Sequence, residues 1–258
     1  MKLTLIDKRK EAGDATSFIL KPETGMDAAT TLFTWRAGQF LHYTLPHENA
    51  DDRKTERYFT ISAAPHEGHV MITTRILADA ANASTANAAA TAPKMSTFKK
   101  TLAALPIGGT LEADGPDGDF VIDEALTADP AKATATEFVF IAGGIGITPY
   151  RAILLDLDQR GVDIHARLLY SNRDQNFVFK SELDALAAKH KNFTIRYVVD
   201  PEKIDEAMIR QEIPDLTKPI IYVSGPEPMT EAFEKWMLAM GIPEAHLKRD
   251  YFPGYNWP

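Results

Sequence analysis

Two hydrophobic grammars divide the chain. In the first half, "KLTLID", "TSFILK", "QFLHYTL", "RYFTIS", "HVMITTRI" and "GTLEAD" are short, β-branched and aromatic runs separated by Gly, Pro, Asp and Asn. Their period of two predicts strands, and their spacing predicts an antiparallel sandwich or barrel. In the second half the period lengthens. "EFVFIAG" reads as a buried strand, and "TPYRAILLDLDQRG" as a helix with Thr148 at the N-cap, Pro149 at N1 and Gly161 as terminator. "DIHARLLYS", "SELDALAAKH", "NFTIRYVV", "DEAMIRQE", "PIIYVSG", "PEPMTEAFEKWMLAMG" and "HLKRDYF" continue a strand–helix alternation that implies a parallel sheet with helices on both faces. A capping-box-like Ser181–Asp184 pair opens the second of these helices. The domains expected are 1–128 and 135–258, joined within the polar connector "DEALTADPAKATATE". The alanine-rich stretch 78–93, "ADAANASTANAAATAP", has no apolar stripe and reads as a surface insertion.

Composition narrows the chemistry. The 258 residues are 45% hydrophobic, enough for one large domain or two modest ones. With no cysteine, disulfides, iron–sulfur clusters, thiolate zinc sites and a cysteine nucleophile are excluded. A formal charge of −8 argues against nonspecific attraction to nucleic acid. No signal peptide or bilayer-length apolar run is evident, so a soluble, cytoplasmic protein is expected. The seven histidines show no metal spacing; His66 and His69 in "HEGH" read as a solvated turn.

Phosphate-binding chemistry is suggested at several points. In "GGIGITPYRAIL", Gly143, Gly144 and Gly146 stand where a strand runs into a helix, at the carboxyl end of a parallel sheet where ligands sit. Glycines there admit a diphosphate to the backbone, and the helix start offers unpaired N–H groups. The alternative is a tight turn without ligand. Pro149 replaces the last glycine of the usual dinucleotide fingerprint, and no Walker lysine follows. Ser224, Gly225 and Pro226 form a second strand-end turn. On "RYFTISAAP", Arg57 and Phe59 share a face: a guanidinium suited to phosphate and a ring suited to a flat heterocycle, with Thr60 adding a hydroxyl. An exposed arginine beside a core phenylalanine is the plainer reading. "KMSTFKKTLAAL" places Ser96 and Thr97 at a helix start, as an anion site or simple capping. "DGPDGDF" lacks calcium-loop spacing and reads as a glycine turn.

Taken in order, "WRAGQFLHYTLP", "RYFTIS", "GPDGDF", "GGIGITP" and "DYF" resemble the motifs of the ferredoxin–NADP⁺ reductase family. The resemblance covers nearly the whole chain. It implies a six-stranded antiparallel Greek-key barrel binding FAD, followed by a parallel α/β domain binding NAD(P)H. It implies that Arg57 and Ser96, helped by Thr97, hold the FAD diphosphate, with Tyr58 alongside. Phe59 would stack on the isoalloxazine, and Thr60 would bond near flavin N5. Gly143, Gly144, Gly146, Thr148 and Pro149 would cradle the nucleotide diphosphate. Ser224, Gly225 and Pro226 would approach the nicotinamide, and Phe252 would cover the flavin, assisted by Tyr251, Tyr255 or Trp257. The expected catalytic set is therefore Thr60, Ser224 and Phe252, with no metal. Departures are Ala37, Pro93, Ser224 in place of a cysteine, and Asp250 in place of a glutamate. Arg173 and Lys180 argue for NADPH and Asp174 for NADH, leaving that choice open.

The activity implied is an NAD(P)H-dependent flavoprotein reductase serving a ferredoxin, flavodoxin or oxygenase component, for which "DKRK", "FKK" and "LKRD" offer local positive charge. Two alternatives stand beside it: a reductase of free flavin or ferric chelates, and a nucleotide-binding regulatory subunit without chemistry.

Overall fold

A computed structural model describes residues 1–23, 33–77, 95–127, 135–213, 215 and 217–252. The expected insertion at 78–93, the middle of the connector, and Pro93, Tyr255 and Trp257 lie outside the described residues. The first half contributes β1 (Lys2–Lys10), β2 (Ala15–Pro22), β3 (Phe40–Thr44), β4 (Glu56–Thr60), β5 (Val70–Arg75), α1 (Thr97–Ala104) and β6 (Thr110–Asp117). The strands form one antiparallel sheet in the order β4-β3-β6-β1-β2-β5. The two outer strands meet just past β4, where Ser62 N–H donates to the Met71 carbonyl at 2.8 Å, giving the barrel that the motifs imply. Leu3, Leu5, Leu41, Tyr43, Leu111 and Ala113 alternate inward and fill it.

The second half contributes β7 (Phe138–Gly143), α2 (Thr148–Gln159), β8 (Ala166–Asn172), α3 (Lys180–Lys189), β9 (Phe193–Val199), α4 (Glu206–Glu212), β10 (Ile220–Pro226), α5 (Glu227–Ala239) and β11 (Leu247–Phe252). Its five parallel strands run in the order β11-β10-β7-β8-β9. β7 is buried along its whole length, as a strand covered on both faces must be. Two local expectations are corrected. A 3₁₀ turn, Gly144–Ile147, separates β7 from α2, so Thr148 is already helical and its hydroxyl donates back to the Ile145 carbonyl instead of capping. α3 starts one residue before Ser181, on Phe179 in the left-handed region (φ 62°), and no side chain caps it. Asp184 instead bonds Lys180 and Tyr197.

One apolar cluster runs through the barrel and the near face of the parallel sheet; Met229, Phe233, Met237 and their neighbours fill the far face. The joint between the two sheets is aromatic. Phe120, from the "GPDGDF" turn, sets its ring edge-on to Tyr150 and Tyr222 at 5.7 and 5.1 Å, and Tyr222 donates to the Val121 carbonyl at 2.9 Å. Losing a ring so buried costs about 3–5 kcal/mol, several times the ~0.2–1 kcal/mol of an exposed ion pair such as Arg9–Glu182. The apolar wedge dominates the attachment. A polar contact reinforces it: Arg151 on α2 reaches Glu67 in the Pro65–Glu67 turn at 2.8 and 3.0 Å.

Burial alone would raise the Glu67 carboxyl, but the hydrogen bonds and charge of Arg151 outweigh it and hold the group below the usual carboxylate value. A depressed carboxyl stabilises the fold above its unfolded pKa, and that stability is lost as pH falls through the lowered value. Glu67→Gln is therefore expected to lose on the order of 1.5–3 kcal/mol at pH 7. Thermal melts from pH 7 into the acid range should show wild type and variant converging as the carboxylate protonates.

Candidate active site

The two sheets enclose one cavity of about 940 Å³, open on the carboxyl ends of the parallel strands. Its barrel wall carries Phe40, His42, Arg57, Tyr58, Phe59, Thr60 and Ser96, together with Thr73 to Arg75. Its opposite wall carries Gly143 to Ile145, Thr148, Ser171 to Arg173, Pro226 and Asp250 to Phe252.

Register decides which side of β4 faces where. Arg57 and Phe59 pair with Tyr43 and Leu41, and so point into the barrel; Tyr58 pairs with His42 and points outward. Phe59 is half-buried against Tyr43 and Phe98, at centroid distances of 5.9 and 5.7 Å. Tyr58, 65% exposed, stacks on His42 at 4.4 Å, so it is the ring that this strand offers most openly to the cavity. The guanidinium of Arg57 is already engaged, donating to both carboxylate oxygens of Asp51 (2.6 and 2.7 Å) and to the carbonyls of Arg53, Lys54 and Glu56. Its Nε is buried without a partner. Asp51 also accepts the Thr97 N–H at the start of α1, and the Thr97 hydroxyl contacts His47. Thr97 therefore serves the 47–51 loop and does not line the cavity, whereas Ser96, the N-cap, does. Burial opposes ionisation of Asp51, but Arg57 and the Thr97 amide overcome it and bring its pKa to about 2.

The glycine turn is shaped by close approach. A Cβ on Gly146 would collide with the Ser224 carbonyl, so only glycine lets the turn lie against β10. Gly144 has φ +54°, and a Cβ there would stand 3.3 Å from Arg75 Nη2. Gly146, Pro149 and Gly225 support the wall from behind; Gly143, Gly144, Thr148 and Pro226 form it. Met229 packs its sulfur against both Gly143 and Gly225, joining the two turns. Ser224 is fully buried, does not line the cavity, and its hydroxyl has no hydrogen-bond partner.

Arg75, from β5, reaches across to the parallel sheet, donating to Asn172 at 2.9 Å while paired with Asp14 at 2.6 Å. It carries positive charge to the glycine turn and was not anticipated; a cation ending an apolar strand is its only trace in sequence. Asp250 was anticipated only as a substitution. Burial, with the nearby charge of Asp119, pushes the carboxyl of this cavity-wall residue up to about 7. Among the basic runs, Arg9 is held by Glu11 and Glu182, Lys8 by the Ala103 carbonyl and Arg249 by Glu234. No cluster of metal-ligating side chains occurs among the described residues, and no helix among them is long and apolar enough to cross a membrane.

A family profile described as an oxidoreductase NAD-binding domain matches residues 140–235. The chain is 26% identical to the ferredoxin reductase component of a 3-ketosteroid-9-alpha-monooxygenase from Mycolicibacterium smegmatis, over 98% of this chain and 65% of that one. It is 24% identical to a flavohemoprotein from Burkholderia sp., over 95% of this chain and 57% of that one. It thus spans under two thirds of the length of these curated relatives. The FAD/NAD-binding domain of a Vibrio cholerae nitric oxide dioxygenase superposes with a TM-score of 0.74 over 98% of both chains, at 20% identity. Residues 140–235 thus match the oxidoreductase NAD-binding domain family, and over nearly its whole length the chain has the two-domain fold of ferredoxin–NADP⁺ reductase-like FAD/NAD-binding oxidoreductases. In this family frame, the profile begins in β7 and takes in the glycine turn, α2 and the Ser224–Pro226 turn.

Gly146→Ala is expected to cost about 1–3 kcal/mol or more, since backbone and not a flexible side chain blocks the methyl. Gly161→Ala, with a left-handed φ of +69° but open space around it, should cost only about 1 kcal/mol. Chemical denaturation of both variants checks the ordering.

Proposed function

We propose that the chain is an FAD-dependent NAD(P)H oxidoreductase, with 1–128 holding the flavin and 135–258 the nucleotide, that passes electrons to a separate carrier. The observation that carries this reading is the shared cavity. One wall offers aromatic faces and cations; the other offers a glycine turn at the carboxyl ends of parallel strands. FAD, when bound, would supply hydride acceptance from a nicotinamide and release of electrons one at a time.

The chain's own residues bind and orient. Tyr58, with Phe59 behind it, gives the isoalloxazine a surface, and Thr60 gives it a hydroxyl at the ring edge. Ser96 would meet the FAD diphosphate, with the Arg57 guanidinium behind it, already held by Asp51. Gly143, Gly144, Thr148 and Arg75 hold the nucleotide diphosphate by backbone approach and charge. Pro226 and Phe252 border the nicotinamide, while Ser224 shapes that border from beneath through its carbonyl contact with Gly146. Asp250 holds or releases a proton at its carboxyl near neutral pH. Proximity of this kind contributes on the order of 7–11 kcal/mol. The relative that is a monooxygenase's ferredoxin reductase component supports a ferredoxin or oxygenase component as acceptor; flavodoxin as an alternative carrier, and a cytoplasmic setting, are part of the same proposal. A second reading, reduction of free flavin as substrate, has one observation in its favour: Asp51 already holds the Arg57 fork that would meet a diphosphate.

Purified protein is expected to carry oxidised-flavin absorbance that bleaches on anaerobic addition of NAD(P)H. Colourless protein that nonetheless reduces added riboflavin would favour the second reading, and a bound flavin that stays oxidised would defeat both.

Local geometry also favours NADPH. Asp174 turns its carboxylate into its own loop, onto Asn172 and the Asn176 N–H, and Lys180 is paired with Asp184. Arg173 remains exposed on the cavity wall, suited to a 2′-phosphate. Arg173→Ala should raise KM for NADPH on the order of tenfold and leave that for NADH unchanged, as one charged hydrogen bond predicts. Steady-state kinetics with both nucleotides decides this.

A further inference from the structure

Arg151 is 4% exposed, stands three residues into α2, and does not line the cavity. Its guanidinium is nonetheless the most heavily bonded group between the sheets. Nη1 donates to the Ser62 carbonyl at 2.9 Å and to Glu67 at 2.8 Å. Nη2 donates to Glu67 at 3.0 Å, and Nε to Glu182 at 2.7 Å. The ring of Phe179 lies 5.0 Å from the guanidinium carbon. Phe179 adopts a left-handed φ of 62°, strained for an aromatic residue, and it starts the helix that supplies Glu182.

The partners define what the cluster does. Ser62 lies two residues beyond Thr60 on the segment leaving β4, and Glu67 closes the next turn of that segment. Arg151 lies three residues beyond Thr148, on the helix that continues the glycine turn. The fork thus connects the flavin-side strand to the nucleotide-side helix through a few rigid residues. Attachment alone does not need such a device, because the Phe120 wedge already supplies it. A planar fork fixes direction as well as distance, which a lysine ammonium does not.

We infer that Arg151 is a positioning residue that sets the offset between the flavin strand and the nucleotide turn, so that hydride donor and acceptor meet in line. This rests on the function proposed above. A displacement of about 1 Å between reacting groups slows such a transfer by up to about a hundredfold, with little effect on binding either partner.

The test uses full-length Arg151→Lys and Glu67→Gln, in which the charge or the shape is kept but the fork is lost. Stopped-flow reduction by NADPH should show a limiting rate lowered about ten- to a hundredfold in both, with the charge-transfer absorbance between nucleotide and flavin diminished. KM for NADPH, flavin content and the rate of flavin photoreduction by light and EDTA, which bypasses the nucleotide, should stay within about twofold of wild type. Wild-type limiting rates in either folded variant would overturn the inference. So would losses of flavin content or photoreduction in proportion to the loss of rate, since these mark a purely structural role. Should Arg151→Lys not fold, Glu67→Gln decides alone. Wild-type protein that holds flavin but is reduced by neither nucleotide would instead overturn the proposed function, and this inference with it.

Discussion

The arrangement depends on an apolar wedge between two sheets. Phe120 leaves the barrel on a glycine turn and lodges against Tyr150 and Tyr222, one from the helix after the glycine turn and one from the adjoining strand. Tyr150 in turn donates to the Ile141 and Tyr222 carbonyls at 3.0 and 2.8 Å, pinning that helix to β7 and β10. The hydroxyls are satisfied and the rings are buried, so the joint gains apolar stabilisation without leaving orphaned donors. The cavity exists because these elements cannot separate or slide freely.

Around this joint the charges are arranged by depth. Near the surface, pairs such as Arg210–Glu206 contribute little. In the interior, each arginine has several partners: Arg57 with Asp51 and three carbonyls, Arg75 with Asp14 and Asn172, Arg151 with Glu67, Glu182 and the Ser62 carbonyl. Buried cations tolerate desolvation only when so surrounded. Arg75 and Arg151 lie where the barrel meets the parallel sheet or its helix, and Arg57 where β4 meets the loop at Asp51, which makes them parts of the site's frame as well as bearers of charge.

Much of the fold was legible because period and punctuation are local. Alternation in "QFLHYTL" and "RYFTIS", and the change to strand–helix rhythm after "EFVFIAG", predict both sheets. The order of motifs predicts that their glycine turns and aromatics meet in one cleft. Facing was harder. That Arg57 and Phe59 share a side follows from period two, but that this side is the barrel interior depends on pairing with Tyr43 and Leu41. Thr148 resembles an N-cap until a 3₁₀ turn intervenes, and Ser181 resembles one until Phe179 takes the position in a left-handed conformation. Arg75, Asp250 and Arg151 gave little signal because their roles come from tertiary surroundings: Asn172 for Arg75, burial and then Asp119 for Asp250, and Glu67 for Arg151.

Met229 gives the two glycine turns a common neighbour. Its thioether is soft and adaptable, yet fully enclosed, so a shift of the chain at Gly143 is transmitted to Gly225. The diphosphate and the nicotinamide of a dinucleotide would therefore be gripped in concert, with one sulfur atom as the linkage between the two grips.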